Sequence, residues 1–308
     1  MSVSPNHLVN LDLFCNEAAS EVVSSDSNIT NCESLAVSSV PWDSDDESCV
    51  LTLLDSEVDQ VQERQQSLAL LHEKAWLRTA REEAIKWMLK VQGYYSFTPG
   101  TAYLSVNYLD RFLLSHPLPK DEAWPLQLVA VACLSVAAKM EETRVPLLVD
   151  LQMIEPRFLF KPKTVQRMEL LVMAALRWRL RAVTPFDFAH LFIAKAKLSC
   201  SASYHIISRV SDILIRTCLV TDFLEYPPSA IAAAALLWTT NQYVDEQNLS
   251  FFHENISGEM VQKCYNLMKQ RSFRSEHFAA TNLDSLPLSP TCVLDLAAMQ
   301  ESSKDHNP

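Results

Sequence analysis

The sequence predicts an all-α protein built as two tandem helical domains, and three observations carry that prediction. The first is the stretch 122–142, EAWPLQLVAVACLSVAAKMEE, which carries no charge from 123 to 138 and consists mostly of small or aliphatic residues. It is shorter than the roughly 18–20 apolar residues a bilayer span requires, so it reads as a helix buried on all sides at the centre of a helical domain. The second is a similar run, Pro228–Thr239, PSAIAAAALLWT, about a hundred residues later. Aligned, Pro125 matches Pro228, Leu128 matches Ile231, Ala130 matches Ala233 and Leu134 matches Leu237, which suggests one buried helix per domain. The third is the scarcity of glycine. Only Gly93, Gly100 and Gly258 occur, each isolated, so no Gly-rich turn can bring backbone close to a phosphate. That counts against a kinase, a P-loop NTPase or a dinucleotide-binding enzyme.

Taken in order, residues 1–46 are rich in Ser, Asn and Asp and are expected to be a disordered acidic tail. Within it lies Leu13-Phe14-Cys15-Asn16-Glu17. In an extended strand Leu13, Cys15 and Glu17 share one face, offering a branched apolar group, a thiol and a carboxylate. The bland alternative is a chance match in a tail. Residues 47–72 read as a partly helical extension, with Val50, Leu53, Leu54, Val58 and Val61 near helical spacing. A firm helix is expected over 73–91, with Trp76, Ala80, Ala84, Trp87 and Val91 along one face. Thr98-Pro99 supplies a cap and a first-turn proline for a helix over 101–115, which ends before Pro117 and Pro119. The central helix follows, then a short helix opened by Pro146, then a helix over 164–176. Thr184-Pro185 opens the second domain, with helices over 185–198, 204–222, 228–243 and 257–271 and a short one over 247–254. From 281 the chain is polar and irregular and is expected to be a disordered tail. Its Ser289-Pro290 is a candidate site for a proline-directed kinase, and equally ordinary loop chemistry.

Two charges do not fit their helices. Lys139 follows Ser135 by four and Val136 by three, continuing the face of the central helix. Glu169 lies four residues after Val165, inside the stripe of Val165, Met168, Val172, Ala175 and Leu176. A charge there is costly unless paired or hydrogen-bonded. Lys139 reads as a C-terminal charge favoured by the helix dipole, and Glu169 as a snorkelling or internally bridged carboxylate. Alternatively, both serve the backbone of a partner.

Net charge is −11, unevenly placed: residues 1–72 hold 13 Asp/Glu and one Arg, whereas 73–308 hold 25 Lys/Arg and 24 Asp/Glu. The globular part is nearly neutral and offers no broad basic surface for nucleic acid. Eight scattered cysteines without a CxxC pair read as reduced thiols of an intracellular protein. No basic segment followed by an apolar one opens the chain, so no secretory signal is expected.

Three motifs together resemble the first cyclin box: NYLDRFL at 107–113, SVAAKMEE at 135–142 and QRMELLV at 166–172. With LFCNE near the N-terminus, the chain resembles a D-type cyclin of plants over about 73–274. The resemblance implies two tandem five-helix cyclin boxes, at 73–180 and 181–280, between the tails 1–46 and 281–308. Lys139 and Glu169 match the family's Lys and Glu that grip the regulatory helix of a cyclin-dependent kinase. Leu13, Cys15 and Glu17 match the LxCxE segment that docks on retinoblastoma-type pocket proteins. Many cyclins also dock Arg-x-Leu peptides in a groove of the first box, whose positions fall here at Ala80, Glu83, Trp87, Leu126 and Gln127. A methyl and a carboxylate stand at the first two, where large apolar residues are usual, so a shallower, wetter groove is expected. The implied role is that of a regulatory subunit without catalysis, cofactor or metal. It would activate a cyclin-dependent kinase, present a pocket protein for phosphorylation at entry into S phase, and be open to cyclin-dependent kinase inhibitors. Nucleus and cytoplasm are the expected locations, without direct contact to nucleic acid or membrane. The competing reading is a cyclin-fold transcription factor of the TFIIB type. Residues 73–280, with 24 Lys/Arg against 20 Asp/Glu, give it little basic surface, and it leaves LxCxE unexplained. A carboxylate metal site at Asp43, Asp45, Asp46 and Glu47 is weaker still, since no His cluster accompanies it.

Overall fold

The computed structural model describes residues 44–120, 122–155, 157–196 and 200–271. Leu13, Cys15, Glu17, Ser289, residues 1–43 of the expected N-terminal tail and all of the expected C-terminal tail lie outside the described residues, whereas 44–46, expected in the tail, open the first helix. Ten α-helices are described, and no strand occurs among the described residues. The first, α1 (Ser44–Glu73), runs for 30 residues where only partial helix was expected. Its buried stripe is Val50, Leu54, Glu57, Arg64, Ser67 and Leu71, at helical spacing but half polar. That polarity conceals the period from a hydrophobic reading. Asp45, Asp46 and Glu47 occupy its first turn, where carboxylates meet the positive end of the helix dipole. No group of His, Cys, Asp and Glu fit to hold a metal occurs among the described residues.

The first bundle comprises α2 (Ala75–Tyr95), α3 (Pro99–Ser115), α4 (Trp124–Glu141) and α5 (Pro162–Ala175), with a 3₁₀ turn at Asp150–Gln152 in place of the expected short helix. In α4 every residue from Pro125 to Ala138 except Gln127 is buried. Around it pack α2, α3 and α5. Thr98 caps α3 by accepting from the Thr101 N–H at 3.3 Å. Glu142, just past α4, accepts from the Thr98 N–H at 2.7 Å and the Thr101 hydroxyl at 2.6 Å, pinning the end of α4 to the start of α3. Helix α2 runs through Gly93 and stops at Ser96, which is left-handed (φ 54°) while Phe97 N–H bonds back to Gln92 O at 3.0 Å.

The second bundle comprises α6 (Pro185–Lys195), α7 (Cys200–Leu219), α8 (Pro228–Thr239), α9 (Glu246–Leu249) and α10 (Gly258–Gln270), with a 3₁₀ turn at Thr221–Glu225. Helix α8 is buried over Pro228–Leu237 and Thr239, and α6, α7 and α10 pack on it as α2, α3 and α5 pack on α4. Thus the two uncharged runs are the two hubs. At α6 both the N–H and the hydroxyl of Thr184 donate to Asp187, at 2.7 and 2.8 Å.

Helix α1 lies across both bundles. Glu57 accepts from the Ser229 N–H and hydroxyl at the start of α8, at 2.8 and 2.7 Å. Arg64 donates to Phe223 O and Tyr226 O at 3.0 and 3.1 Å, and Glu63 pairs with Arg111 of α3 at 2.8 Å. Arg111 and Tyr108 in turn donate to Arg179 O and Leu180 O, at 3.0 and 2.6 Å, fixing the chain between the bundles.

Candidate functional site

Two misfit charges on two helices turn out to face each other. Helix α4 ends with Lys139, one turn beyond Ser135, and α5 packs beside it with Glu169 on its buried stripe. Lys139 Nζ reaches Glu169 Oε1 at 2.6 Å and Oε2 at 2.7 Å, and the Ser135 hydroxyl donates to Oε1 at 2.5 Å. Hence the carboxylate is internally bridged rather than snorkelling. The pair is lopsided: the Glu169 side chain is 8% exposed and that of Lys139 46%.

Counting donors and acceptors shows what the pair can do. An ionised carboxylate has about four lone-pair positions, and three are engaged here. The open one is on Oε2. An ammonium has three N–H donors, and Lys139 spends two on Glu169, with no further partner among the described residues. One acceptor and one donor therefore stand side by side at the surface, the complement of a peptide unit's N–H and C=O.

Exposed apolar residues adjoin them in sequence. Met140 follows Lys139, Leu170 follows Glu169, and Leu147 sits in the segment after α4; all three are exposed. Trp178, just past α5, is 65% exposed. Arg177 and Trp178 are consecutive left-handed residues (φ 52° and 59°), a conformation costing of order 1–3 kcal/mol each for ordinary side chains. Backbone bonds from Arg177 N to Ala174 O and from Trp178 N to Met173 O, each 2.9 Å, hold it. Exposed large apolar residues are candidates for interaction surfaces. Sequence reasoning missed Met140, Leu170 and Trp178, because a period shows which face is apolar, not which apolar residue is left uncovered.

Ala80, Glu83, Trp87, Leu126 and Gln127 do share one groove, of about 600 Å³, between α2, the start of α4 and the segments on either side. The Trp87 indole is fixed by donating to Ile154 O at 2.9 Å. Ala80, Ala84, Ala123 and Ala130 line it with methyl groups. Glu83 faces Arg157 at 3.7 Å, and Lys90 pairs with Glu155 beside it. Those four charges on its wall are matched from within the chain.

This arrangement follows from a register the sequence reading placed one residue off. The core face of α2 is Leu77, Arg81, Ile85, Met88 and Val91, and the expected face through Trp76, Ala80, Ala84 and Trp87 is only half-buried. Arg81 can lie in the core because Asp110 of α3 takes it in a two-pronged bridge, Nε to Oδ1 at 2.6 Å and Nη2 to Oδ2 at 2.8 Å. Its Nη1 donates to Cys218 O at 3.1 Å, in the second bundle. Burial works against the Arg81 charge, but the carboxylate of Asp110 more than offsets it, and the net shift is upward. Nearby, burial pushes the Cys218 thiol up to about 12 despite the two arginines beside it, so the thiol stays protonated.

Comparison with known proteins agrees with this architecture. The family descriptions "Cyclin, N-terminal domain" and "Cyclin, C-terminal domain" match residues 50–181 and 183–284. Cyclin-D1-1 of Arabidopsis thaliana is 42% identical over 276 residues, 87% of this chain and 78% of its own length. Cyclin-D2-2 of Oryza sativa subsp. japonica is 43% identical over 228 residues, 73% of this chain and 64% of its own. The chain belongs to the plant D-type cyclins. Among solved structures, a viral cyclin from herpesvirus saimiri superimposes with a TM-score of 0.53 at 19% identity, covering 68% of this chain and 97% of the other. A chain of the yeast RNA Pol II CTD kinase CTDK-1 complex gives 0.53 at 16% identity, covering 78% and 81%. At such identities these show the fold alone. In this D-type cyclin the match over 50–181, taking in most of α1 and all of α2 to α5, holds the first box, and the match over 183–284, taking in α6 to α10, holds the second.

Proposed function

We propose that this D-type cyclin binds and activates a cyclin-dependent Ser/Thr kinase, and that Lys139 and Glu169 hold the regulatory helix of the kinase. The observation that carries the reading is the open N–H of Lys139 beside the open lone pair of Glu169, with Met140 and Leu170 exposed next to them in sequence. Charge-assisted bonds to backbone supply direction, and the apolar neighbours supply area. Held inward, the kinase helix completes the Lys–Glu pair that positions ATP. The cyclin contributes no group to the phosphoryl transfer itself.

On the same reading, Leu13, Cys15 and Glu17 recruit a retinoblastoma-type pocket protein for phosphorylation in the nucleus, promoting the G1/S transition, and kinase inhibitors dock on the assembled pair. Affinity purification of the chain from dividing cells tests the first step. A cyclin-dependent kinase should co-elute with wild type and be lost with Lys139→Ala; equal recovery with both would refute the assignment. Cys15→Gly should remove the pocket protein and leave kinase recovery unchanged, because the tail motif and the pair are remote from each other in sequence.

A further inference from the structure

The most heavily buried polar group at the site has no role in the reading above. Ser135 is 0% exposed, on the most apolar face of the first box, one turn before Lys139. A hydroxyl inside a helix ordinarily turns back to the carbonyl four residues earlier. That of Ser135 instead crosses to α5 and donates to Glu169 Oε1 at 2.5 Å. We infer that Ser135 is a positioning residue for partner binding: it holds the plane of the Glu169 carboxylate, and with it the direction of the open lone pair that meets the incoming backbone.

The torsion that rotates a carboxylate is soft, so a glutamate on its own leaves the tilt of its plane poorly fixed. Lys139 touches both oxygens, at 2.6 and 2.7 Å, but from a long, half-exposed stem. Ser135 adds a bond from the rigid interior of α4. With Ser135 and Lys139 both on Oε1, that oxygen is saturated, and the open lone pair is confined to Oε2. The lysine N–H and the acceptor are then held in one relative orientation before the partner arrives. Orientation set in advance removes an ordering cost that binding would otherwise bear. Alanine at 135 would leave the bridge intact and the carboxylate free to turn.

This rests on the grip assigned to Lys139 and Glu169, and the test separates the two. A purified plant cyclin-dependent kinase catalytic subunit is titrated with wild type, Ser135→Ala, Glu169→Ala and the double variant, each also melted. Ser135→Ala alone should weaken binding about tenfold, the worth of one charge-assisted bond. On the Glu169→Ala background the same change should cost less than about two-fold, since no carboxylate remains to orient. Its melting temperature should stay within about 2 °C of wild type. An equal loss on both backgrounds would show that Ser135 acts through the fold, and the inference would be wrong. Full affinity of Ser135→Ala beside a weakened Glu169→Ala would overturn the role of Ser135 and leave the grip standing. Full affinity of Glu169→Ala would sink both.

Discussion

In the first box Arg81 meets Asp110 with side chains 2% and 7% exposed, whereas Lys139 meets Glu169 with 46% and 8%. The chemistry is alike, one cation and one carboxylate on neighbouring helices, yet the outcomes differ. Arg81 divides its bonds between both oxygens of Asp110 and Cys218 O, with solvent excluded from all of them. Lys139 keeps a donor in reserve at the surface and Glu169 an acceptor. Burial and the tie to Cys218 O make the first pair a structural joint between the two boxes. An uncommitted N–H at the surface suits the second to the partner proposed for it. Whether an ion pair's uncommitted groups face the core or the surface tells more about its role than how short its contact is.

The largest effect should come from the buried joint. Breaking a buried pair from one side leaves an uncompensated charge and costs about 3–5 kcal/mol. Asp110→Ala should therefore lower the melting temperature by roughly 6–20 °C. A shift no larger than that of an exposed substitution, read by circular dichroism, would put the two pairs on the same footing. The open pair should behave in the opposite way. Glu169→Ala should cost roughly 2 kcal/mol or more of kinase affinity, about thirty-fold, with helix content retained.

What could be read from the chain follows the same division. Lys139 and Glu169 announced themselves because each interrupts an apolar face within a few residues. Arg81 and Asp110 did not, because each looks like surface until the other, 29 residues away, is placed opposite it. For the same reason the core face of α2 was placed one residue off, through Trp76, Ala80, Ala84 and Trp87. The hubs α4 and α8 were legible, since a long run of small uncharged residues has no other place in a helical protein. The continuity of α1 was not, because Glu57, Arg64 and Ser67 lie in its buried stripe and the partners of Glu57 and Arg64 are in the second box. Ser135 was visible only as a small residue in an apolar helix.

Two smaller predictions extend the series. The pair Glu83–Arg157 is 65% and 67% exposed, so it is worth only about 0–1 kcal/mol. With the wall charges matched internally and a methyl at Ala80, a labelled Arg-x-Leu peptide should bind the purified kinase complex more weakly than about 1 μM. Tighter binding, lost on Trp87→Ala, would show a working Arg-x-Leu site. Glu57 is the intermediate case, a buried acid held by neutral donors. Desolvation raises its pKa above the ordinary 4.5, outweighing the Ser229 bonds and the charge of Arg64. The folded protein thus holds that proton more tightly than the unfolded chain. Its contribution is complete below about 4.5 and is lost as pH rises through the folded value. Stability of wild type relative to Glu57→Gln should fall with rising pH in the window just above 4.5, measured by urea titration. A difference that rises there would contradict the assigned direction.

The contrast between the two pairs can be read in one paired experiment: melting temperature and kinase dissociation constant for Asp110→Ala and Glu169→Ala beside wild type. The account predicts a crossed pattern. Asp110→Ala loses melting temperature, and the protein still folded at low temperature binds the kinase within about three-fold of wild type. Glu169→Ala melts close to wild type and binds about thirty-fold more weakly. If instead Glu169→Ala loses stability while its folded fraction keeps full affinity, the pair is a second structural joint and the docking assignment is wrong.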